Sequence, residues 1–260
     1  MAYPVRLARH GPDGHRIGGI SALIMNMPRQ TADGPALLRH DDAETLFHEF
    51  GHVLHEVLGE NQTFRLSMYD IEDDFPEAIS QIMENWTWEP AILQRIGRHH
   101  KTGSPMPDSL AQRIAASRRA NLGSRYLRSF GQYGELDMAI HGPESVDLDQ
   151  ARLAADAVRG LPSIEDAFWP ASFDHIMGGY DAGYYGYLWS LVYGDDLWSR
   201  FEADGITNPE TGAAYRRELL ECGATRDAEE MVERFLGRRS TNQAFLERTG
   251  LSRIVNAAGA

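Results

Sequence analysis

The segment ETLFHEFGHVLHEVLGE, residues 44–60, constrains the fold of this chain more than any other segment. Its apolar residues recur every three to four positions, which is the spacing of one face of an α-helix. His48 and His52 are four positions apart, so their imidazoles leave the same face about one turn from each other. Glu49 completes an H-E-x-x-H arrangement and lies about 100° around the helix from His48. The segment therefore predicts a helix that can bind a metal ion.

These residue types suit a catalytic zinc ion. Imidazole is a common zinc ligand, and a catalytic zinc needs three protein ligands and an open position for water. At its angle Glu49 would flank the ion and accept a proton from the water. The alternative is an ordinary amphipathic helix that carries its histidines by chance. That helix would bury its apolar residues Leu46, Phe50, Val53, Leu54 and Val57.

The third metal ligand must come from another segment. His55 shares the face of the two histidines, but three side chains stacked on one straight helix cannot converge on one ion. We therefore expect His55 to lie in the core or to support the metal ligands from behind. Glu77, at the start of the helix predicted in DDFPEAISQIMENW, is the better candidate, and Glu84 two turns later is the alternative. Gly51 favours a metal site because it removes bulk beside His52, despite a cost of roughly 1 kcal/mol in helix propensity.

The remaining sequence predicts a mostly helical domain with a small β element at its start. Strands are predicted in GGISALIMNMP and PVRLARH, and a loop in PRQTADGPALLRHDD. The helix that follows is expected to be capped by Asp41 or Asp42 and to run to about Gly59. Further helices are predicted in FPEAISQIMENWTWEPAILQRIGRH (interrupted at Pro90), PMPDSLAQRIAASRRANLGSRYLRSFGQYGELDMAIHG, DLDQARLAADAVRG, PETGAAYRRELLEC and RDAEEMVERFLG. The tail VNAAGA is expected to be frayed.

A second notable block is DHIMGGYDAGYYGYLWS, where a glycine-rich loop becomes an aromatic helix. The spacing of Tyr180, Tyr184 and Tyr187 predicts one helical face. A neutral phenol donates a hydrogen bond and can stabilise the oxyanion of a tetrahedral intermediate. The alternative is an aromatic stripe in the core, and the residues alone leave both interpretations open.

Charge and composition restrict the partners and the compartment. The net charge of −13 argues against nucleic acid or an anionic membrane as partner. No apolar run approaches the ~20 residues of a membrane span, and no secretory signal is visible. The single cysteine, Cys222, allows no intrachain disulfide. We therefore expect a cytoplasmic protein.

Three blocks resemble, in their order and spacing, the thimet oligopeptidase/neurolysin family of zinc peptidases, which includes oligopeptidase A and bacterial dipeptidyl carboxypeptidase. They are HDDAETLFHEFGHVLHEVL, DDFPEAISQIMENW and FDHIMGGYDAGYYGYLWSLVYGDDLWSRF. The resemblance continues through YRRELLECGATRDAEEMVERFLGRRSTNQAFLERTGL and covers the chain from about Ile20. It implies one catalytic domain over residues 1–260, mainly α and zincin-like (gluzincin) of the neurolysin type, with a small β element near the N-terminus. It implies a metalloendopeptidase or oligopeptidase that hydrolyses oligopeptides with one Zn²⁺ per chain.

The resemblance also implies roles for single residues. The zinc ligands would be His48, His52 and Glu77, which selects Glu77 over Glu84, and the catalytic base would be Glu49. Catalytic or substrate-binding roles fall on His175, Tyr180, Tyr184 and Tyr187. Structural roles are expected for Tyr185, Trp189 and Tyr193. The peptide is expected to lie extended beside an early strand such as GISALIM.

The chain departs from the family in its length. Full-length members carry a large helical N-terminal region that forms a substrate channel, and the sequence has no counterpart of it. We therefore expect an open site, together with self-association or a complementing N-terminal chain. The alternative functions are a catalytically impaired zinc- or peptide-binding remnant and a half-enzyme that needs the complementing chain. Retention of Glu49 and of the tyrosine block weighs against a remnant.

Overall fold

The computed structural model describes residues 1–252 except residues 33, 61–63, 127–129, 144, 161, 163 and 165–166, and for residues 64 and 119–126 it describes the backbone alone. The tail predicted to fray, residues 255–260, lies outside the described residues. As predicted, the described part of the chain is mainly helical, with short strands near its start. None of the helices described is both long and apolar enough to cross a membrane.

The β element consists of two small antiparallel pairs. The strands are β1 (Ala2–Arg6), β2 (Arg9–His10), β3 (Arg16–Ile17) and β4 (Ile20–Leu23). β1 pairs with β4, with a shift in register between Pro4 and Arg6, and β2 pairs with β3. The strand predicted in PVRLARH is thus two strands, and the strand predicted in GGISALIMNMP is β4, which is shorter than that segment.

Ten helices follow in the described residues. They are α1 (His40–Leu58), α2 (Pro76–Glu84), α3 (Pro90–Ile96), α4 (Asp108–Tyr126), α5 (Gln132–Ile140), α6 (Leu148–Arg159), α7 (Gly186–Asp204), α8 (Pro209–Tyr215), α9 (Ala228–Leu236) and α10 (Gln243–Thr249). α1 starts slightly earlier than expected, because the Asp42 carboxylate accepts a hydrogen bond from the Arg39 N–H at 2.8 Å. The break expected at Pro90 begins earlier too, since α2 gives way to a 3₁₀ turn at Asn85.

The main core lies where α1, α2 and α7 meet the C-terminal helices. Its largest fully buried side chains are Trp198, Phe75, Phe235, Ile79, Ile82, Leu197, Leu219 and Met231. Tyr193 packs on Phe75 with ring centroids 5.4 Å apart, as its expected structural role requires. Tyr185 and Trp189, expected to be structural as well, are each about half exposed. The core fixes α2 between α1 and α7.

A second, smaller core supports the tyrosine block. It is formed by α5, α6 and the segment that precedes α7. Its buried members are Leu136, Ala151, Ala155, Phe173 and Tyr184. Tyr133 of α5 contacts the ring of Phe173 at 4.7 Å and that of Tyr184 at 5.5 Å. These contacts place residues 173–187 beside the N-terminal end of α2.

Candidate metal centre and active site

α1 and α2 bring together the three side chains expected to bind a metal. The Nε2 atoms of His48 and His52 lie 3.2 Å and 3.3 Å from the same carboxylate oxygen, Oε2 of Glu77. The three candidate ligand atoms lie within 4.8 Å of one another. Two imidazole nitrogens and a carboxylate oxygen are a donor set that zinc accepts. The cluster can therefore hold a metal ion.

Gly51 makes this convergence possible, although not by the expected route. A Cβ on Gly51 would lie 2.7 Å from the Cα of Ser80 and 2.8 Å from the carbonyl oxygen of Ile79, both on α2. The glycine thus removes bulk between α1 and α2, rather than beside the metal. Because the backbones of α1 and α2 pack closely at this point, Glu77 in the first turn of α2 can contact His48 and His52 of α1.

Glu84 takes part in the site without joining the cluster of ligand atoms. Its Oε1 lies 2.7 Å from Nδ1 of His48, on the opposite side of the ring from Glu77. Such an outer carboxylate fixes the orientation of a metal-binding imidazole and leaves Nε2 for the metal. Ser80 is a second outer partner, since its hydroxyl donates to Oε2 of Glu77 at 2.8 Å. The sequence offers no signal for Ser80.

The burial pattern of α1 differs from that of an ordinary amphipathic helix. Glu44, His55 and Glu56 are buried, whereas Phe50 is 45% exposed. His55 lies in the interior as expected, and neither of its ring nitrogens has a hydrogen-bond partner among the described residues. Burial, with the nearby charge of His52, lowers the pKa of His55 to about 3, so its ring is neutral. Its position is that of a core histidine.

Hydrogen bonds between imidazoles and carboxylates dominate the electrostatics of the cluster. Burial lowers the pKa of His48, but hydrogen bonds to Glu77 and Glu84 outweigh burial and raise it to about 10. Burial raises the pKa of Glu77, but its bonds to His48 and His52 outweigh that effect and hold it well below its usual range. A site that stabilises a proton between a carboxylate and two imidazoles also suits a metal cation, which would replace the proton.

The tyrosines do not lie on one helical face, so that prediction is wrong. α7 begins at Gly186, and Tyr180 and Tyr184 precede it in a series of turns. Left-handed backbone at Gly179 (φ 96°) and Ala182 (φ 58°) is incompatible with a continuous helix. The helical spacing of the three tyrosines therefore does not mean that they lie on one helix.

The tyrosine rings nevertheless lie close together. The centroid of Tyr187 lies 5.2 Å from that of Tyr180 and 5.0 Å from that of Tyr184. His175 meets the same group edge-on, 5.1 Å from Tyr184 and 5.7 Å from Tyr187. The hydroxyl of Tyr180 donates to Oε1 of Glu77 at 2.8 Å, which connects the tyrosines to the metal cluster.

The tyrosines differ in their access to the site. His175, Tyr180 and Tyr187 line a cavity of about 680 Å³, whereas Tyr184 is 8% exposed and packs behind them in the second core. Burial is the main reason that the pKa of each of the three phenols is raised, so all three are protonated and available as donors near neutral pH.

The cavity joins the metal cluster to the candidate base. Its lining includes His48, Glu49, His52, Glu77, His175, Tyr180 and Tyr187. Glu49 is partly exposed to it, with Oε2 2.9 Å from the amine of Met1. The cavity therefore brings a candidate metal site, the carboxylate of Glu49 and phenol donors onto one surface.

Comparison with known proteins gave consistent matches over nearly the whole chain. The sequence profile of "Peptidase family M3" matches residues 2–251. Oligopeptidase A of Escherichia coli is 36% identical over 246 residues, covering 92% of this chain and 36% of its own length. Saccharolysin of Saccharomyces cerevisiae is 33% identical, covering 89% of this chain and 33% of its own length. Dipeptidyl carboxypeptidase of Escherichia coli is 34% identical, covering 88% of this chain and 34% of its own length. The chain thus spans about a third of the length of these curated relatives.

Proposed function

The chain belongs to peptidase family M3, and on that premise we propose that it is a zinc-dependent metallopeptidase that hydrolyses peptide bonds in oligopeptides. The domain would be of the zincin-like, neurolysin type. The observation that carries the proposal is the meeting of His48, His52 and Glu77 on one cavity wall beside Glu49. One zinc ion per chain would be held by the first three residues.

A bound zinc ion would polarise the scissile carbonyl and lower the pKa of a water molecule towards ~7. Glu49 would accept the proton of the attacking water and deliver it to the leaving amine. Its partial exposure to the cavity supports this role. Glu84 would hold the His48 ring in place through Nδ1.

The phenols and His175 would stabilise the negative charge that develops on the carbonyl oxygen. Tyr187 lines the cavity and is protonated, so it is well suited as a donor. Tyr180 donates to Glu77 in this structure and would have to turn from it to reach a substrate. Tyr184 stays in the proposed set because its ring contacts both Tyr187 and His175.

The substrate would be an extended oligopeptide beside β4. β1 occupies one edge of β4, so main-chain hydrogen bonds to a peptide would form at the other edge. The names of the relatives, oligopeptidase and dipeptidyl carboxypeptidase, support a peptide substrate. A cytoplasmic location, and no nucleic-acid or membrane partner, remain part of the proposal.

The second candidate is a half-enzyme or a remnant that binds zinc or peptide without turnover. It is favoured by one fact, that the chain spans about a third of the length of its relatives. The retention of the base, the metal cluster and the cavity phenols in one arrangement supports the active peptidase instead.

Hydrolysis of a quenched peptide, with and without chelator, tests the proposal together with metal analysis of the same protein. Wild-type protein should contain zinc and lose activity on chelation. Glu49→Gln should keep zinc and lose hydrolysis, because an amide cannot accept the proton of the water. Zinc without hydrolysis in the wild type would favour the remnant or the half-enzyme.

The tyrosines are tested separately with conservative variants. Tyr187→Phe should keep zinc and lower kcat by about 10²- to 10³-fold, the usual effect of losing one oxyanion donor. Tyr184 does not line the cavity, so Tyr184→Phe should keep zinc and lower kcat less, through its contacts with Tyr187 and His175. Wild-type turnover in both variants would mean that the phenol hydroxyls serve only packing.

A further inference from the structure

Asp137 of α5 has a fully buried carboxylate that is directed at the backbone of the tyrosine turn, residues 178–185. Its Oδ1 accepts a hydrogen bond from the N–H of Ala182 at 3.0 Å, and its Oδ2 accepts one from the N–H of Tyr184 at 2.9 Å. On the other side Nδ1 of His141, one turn later on α5, lies 2.8 Å from Oδ1. The two carboxylate oxygens therefore bind two backbone groups of the turn, and His141 supports them.

The turn needs such an external support. Among the described residues, Ala182 is the one non-glycine with a positive φ, 58°. An alanine in left-handed backbone is unfavourable and persists where surrounding contacts determine it. Asp137 accepts from the N–H of that same alanine, and from the N–H two residues later. The carboxylate thus fixes the conformation of the turn at its most strained point.

The turn positions the two phenols that face the cavity. Tyr180 lies within it and donates to Glu77, and Tyr187 follows it and stacks on Tyr180 at 5.2 Å. Asp137 is not among the residues that line the cavity. Any effect it has on the reaction must therefore pass through the turn.

We propose that Asp137, assisted by His141, is a positioning residue that holds the tyrosine turn so that Tyr180 and Tyr187 face the metal cluster. Because this role presupposes the peptidase activity proposed above, its test needs a readout that does not depend on turnover. A purely structural role would lower stability and leave the reaction of the folded protein unchanged.

The chain offers a matched control for that distinction. Asp156 of α6 is a buried carboxylate of the same second core region, and it accepts from Gln132 at 2.6 Å, Trp169 at 3.0 Å and Arg152 at 3.1 Å. These three donors are side chains outside the tyrosine turn. Asp156→Asn should therefore perturb the packing of this core without releasing the turn.

The experiment compares Asp137→Asn with Asp156→Asn in the full chain. An asparagine keeps the shape but has one acceptor oxygen, so it cannot serve both N–H groups of the turn. Hydrogen exchange of the segment 178–187 is measured in metal-free protein, and zinc content, kcat and KM are measured in the loaded protein below the melting temperature of each variant.

For Asp137→Asn we expect faster exchange in the segment 178–187, unchanged zinc stoichiometry and kcat lowered by about 10- to 100-fold with KM changed less. Combining it with Tyr187→Phe should lower kcat by less than the product of the two single effects. Asp156→Asn should lower the melting temperature while kcat and exchange in the turn stay close to wild type. The milder His141→Asn should shift exchange and kcat in the same direction as Asp137→Asn, which keeps the test available if Asp137→Asn does not fold.

Exchange in the turn that is unchanged in Asp137→Asn, or in His141→Asn if the former does not fold, would overturn the proposed role. So would a loss of kcat equal to that of Asp156→Asn. If the wild type is inactive, the proposed peptidase function fails, whereas faster exchange in the variants would still support the fixing of the turn by Asp137.

Discussion

Glu77 and Glu84 lie two turns apart on α2, and both contact His48, but from opposite sides of its ring. Glu77 approaches Nε2 and shares its oxygen with His52, whereas Glu84 meets Nδ1 alone. Spacing along a helix cannot separate these roles, because both residues are on the same face of α2. The resemblance to the peptidases assigns the ligand role to Glu77, which is the residue that the structure places in the cluster with His48 and His52. The contact of Glu84 with Nδ1 of His48 could be seen only once α1 was packed on α2.

This difference predicts distinct effects on metal binding. Glu77→Ala should release the metal, because it removes one of three ligands. Glu84→Ala should leave the metal bound at one per chain with affinity about 10- to 100-fold weaker, as for loss of an outer hydrogen-bond partner. Elemental analysis after dialysis, followed by titration with a competing chelator, measures both effects. Metal loss in Glu84→Ala with retention in Glu77→Ala would exchange the two assignments.

At the scale of elements, amphipathic spacing and the prolines predicted most of the helices. The tyrosine block shows the limit of that reasoning. Its spacing is helical, yet the left-handed backbone at Gly179 and Ala182 makes a turn that the second core and Asp137 support. Asp137 and the Leu136 side chain of the second core come from α5, more than forty residues earlier in the chain, and other members come from α6. Periodicity within the block carries no information about them.

The close contact of α1 and α2 predicts the effect of a single methyl group. Gly51→Ala would place Cβ less than 3 Å from the α2 backbone, so the helices must separate. We expect a loss of about 1–3 kcal/mol in the free energy of unfolding and weaker metal binding, because Glu77 would move away from the histidines. Gly212→Ala on α8 is the control, since nothing lies within 4 Å of its Cβ. It should be neutral or stabilising by up to about 1 kcal/mol in urea unfolding.

The contact of α10 with α7 predicts a pH dependence of stability. Asp195 is buried, with Oδ1 3.0 Å from Nε of Arg248, and its Oδ2 has no hydrogen-bond partner among the described residues. Burial raises its pKa from 3.8 to about 6, and the nearby arginines offset only part of that shift. Between these two values the native state binds more protons than the unfolded state, so this group makes the protein less stable as the pH rises.

Asp195→Asn removes that titration. As the pH rises from about 4.5 to 7, wild type should lose about 2 kcal/mol of unfolding free energy that the variant does not lose. Urea unfolding at the two pH values measures the shift. Asp149→Asn, at an exposed carboxylate, is the control and should shift by less than about 0.5 kcal/mol. A shift of opposite sign would mean that Arg248 stabilises the Asp195 carboxylate fully.

At the scale of the whole molecule, three short motifs were enough to predict the family, and the match over residues 2–251 confirms it. Each motif lies on an element that meets the others at the cavity, so their joint occurrence is far more specific than any one of them. The three motifs contribute only residues on one side of the cavity. They carry no information about what lies opposite that side.

That surface carries exposed apolar side chains. Met177, next to the cavity, is 87% exposed, and Tyr69, on its rim, is 53% exposed. The resemblance described above implies that a further region faces this surface in full-length members and forms a channel with it. Water at an open site weakens charge stabilisation and removes contacts that position the peptide. The 260 residues acting alone should therefore form a slow peptidase with relaxed substrate length.

The same apolar side chains should favour self-association or binding to a complementing N-terminal chain. Turnover on peptides of increasing length, with the mass in solution measured on the same preparation, tests both expectations. We expect cleavage that continues as the peptide is lengthened, in a preparation whose mass rises with concentration. A strict upper length limit in a strictly monomeric preparation would mean that these residues already enclose their own channel.

A sharp gain in kcat/KM when a separately produced N-terminal region is added would identify the chain as a half-enzyme, because only the positioning contacts would have changed.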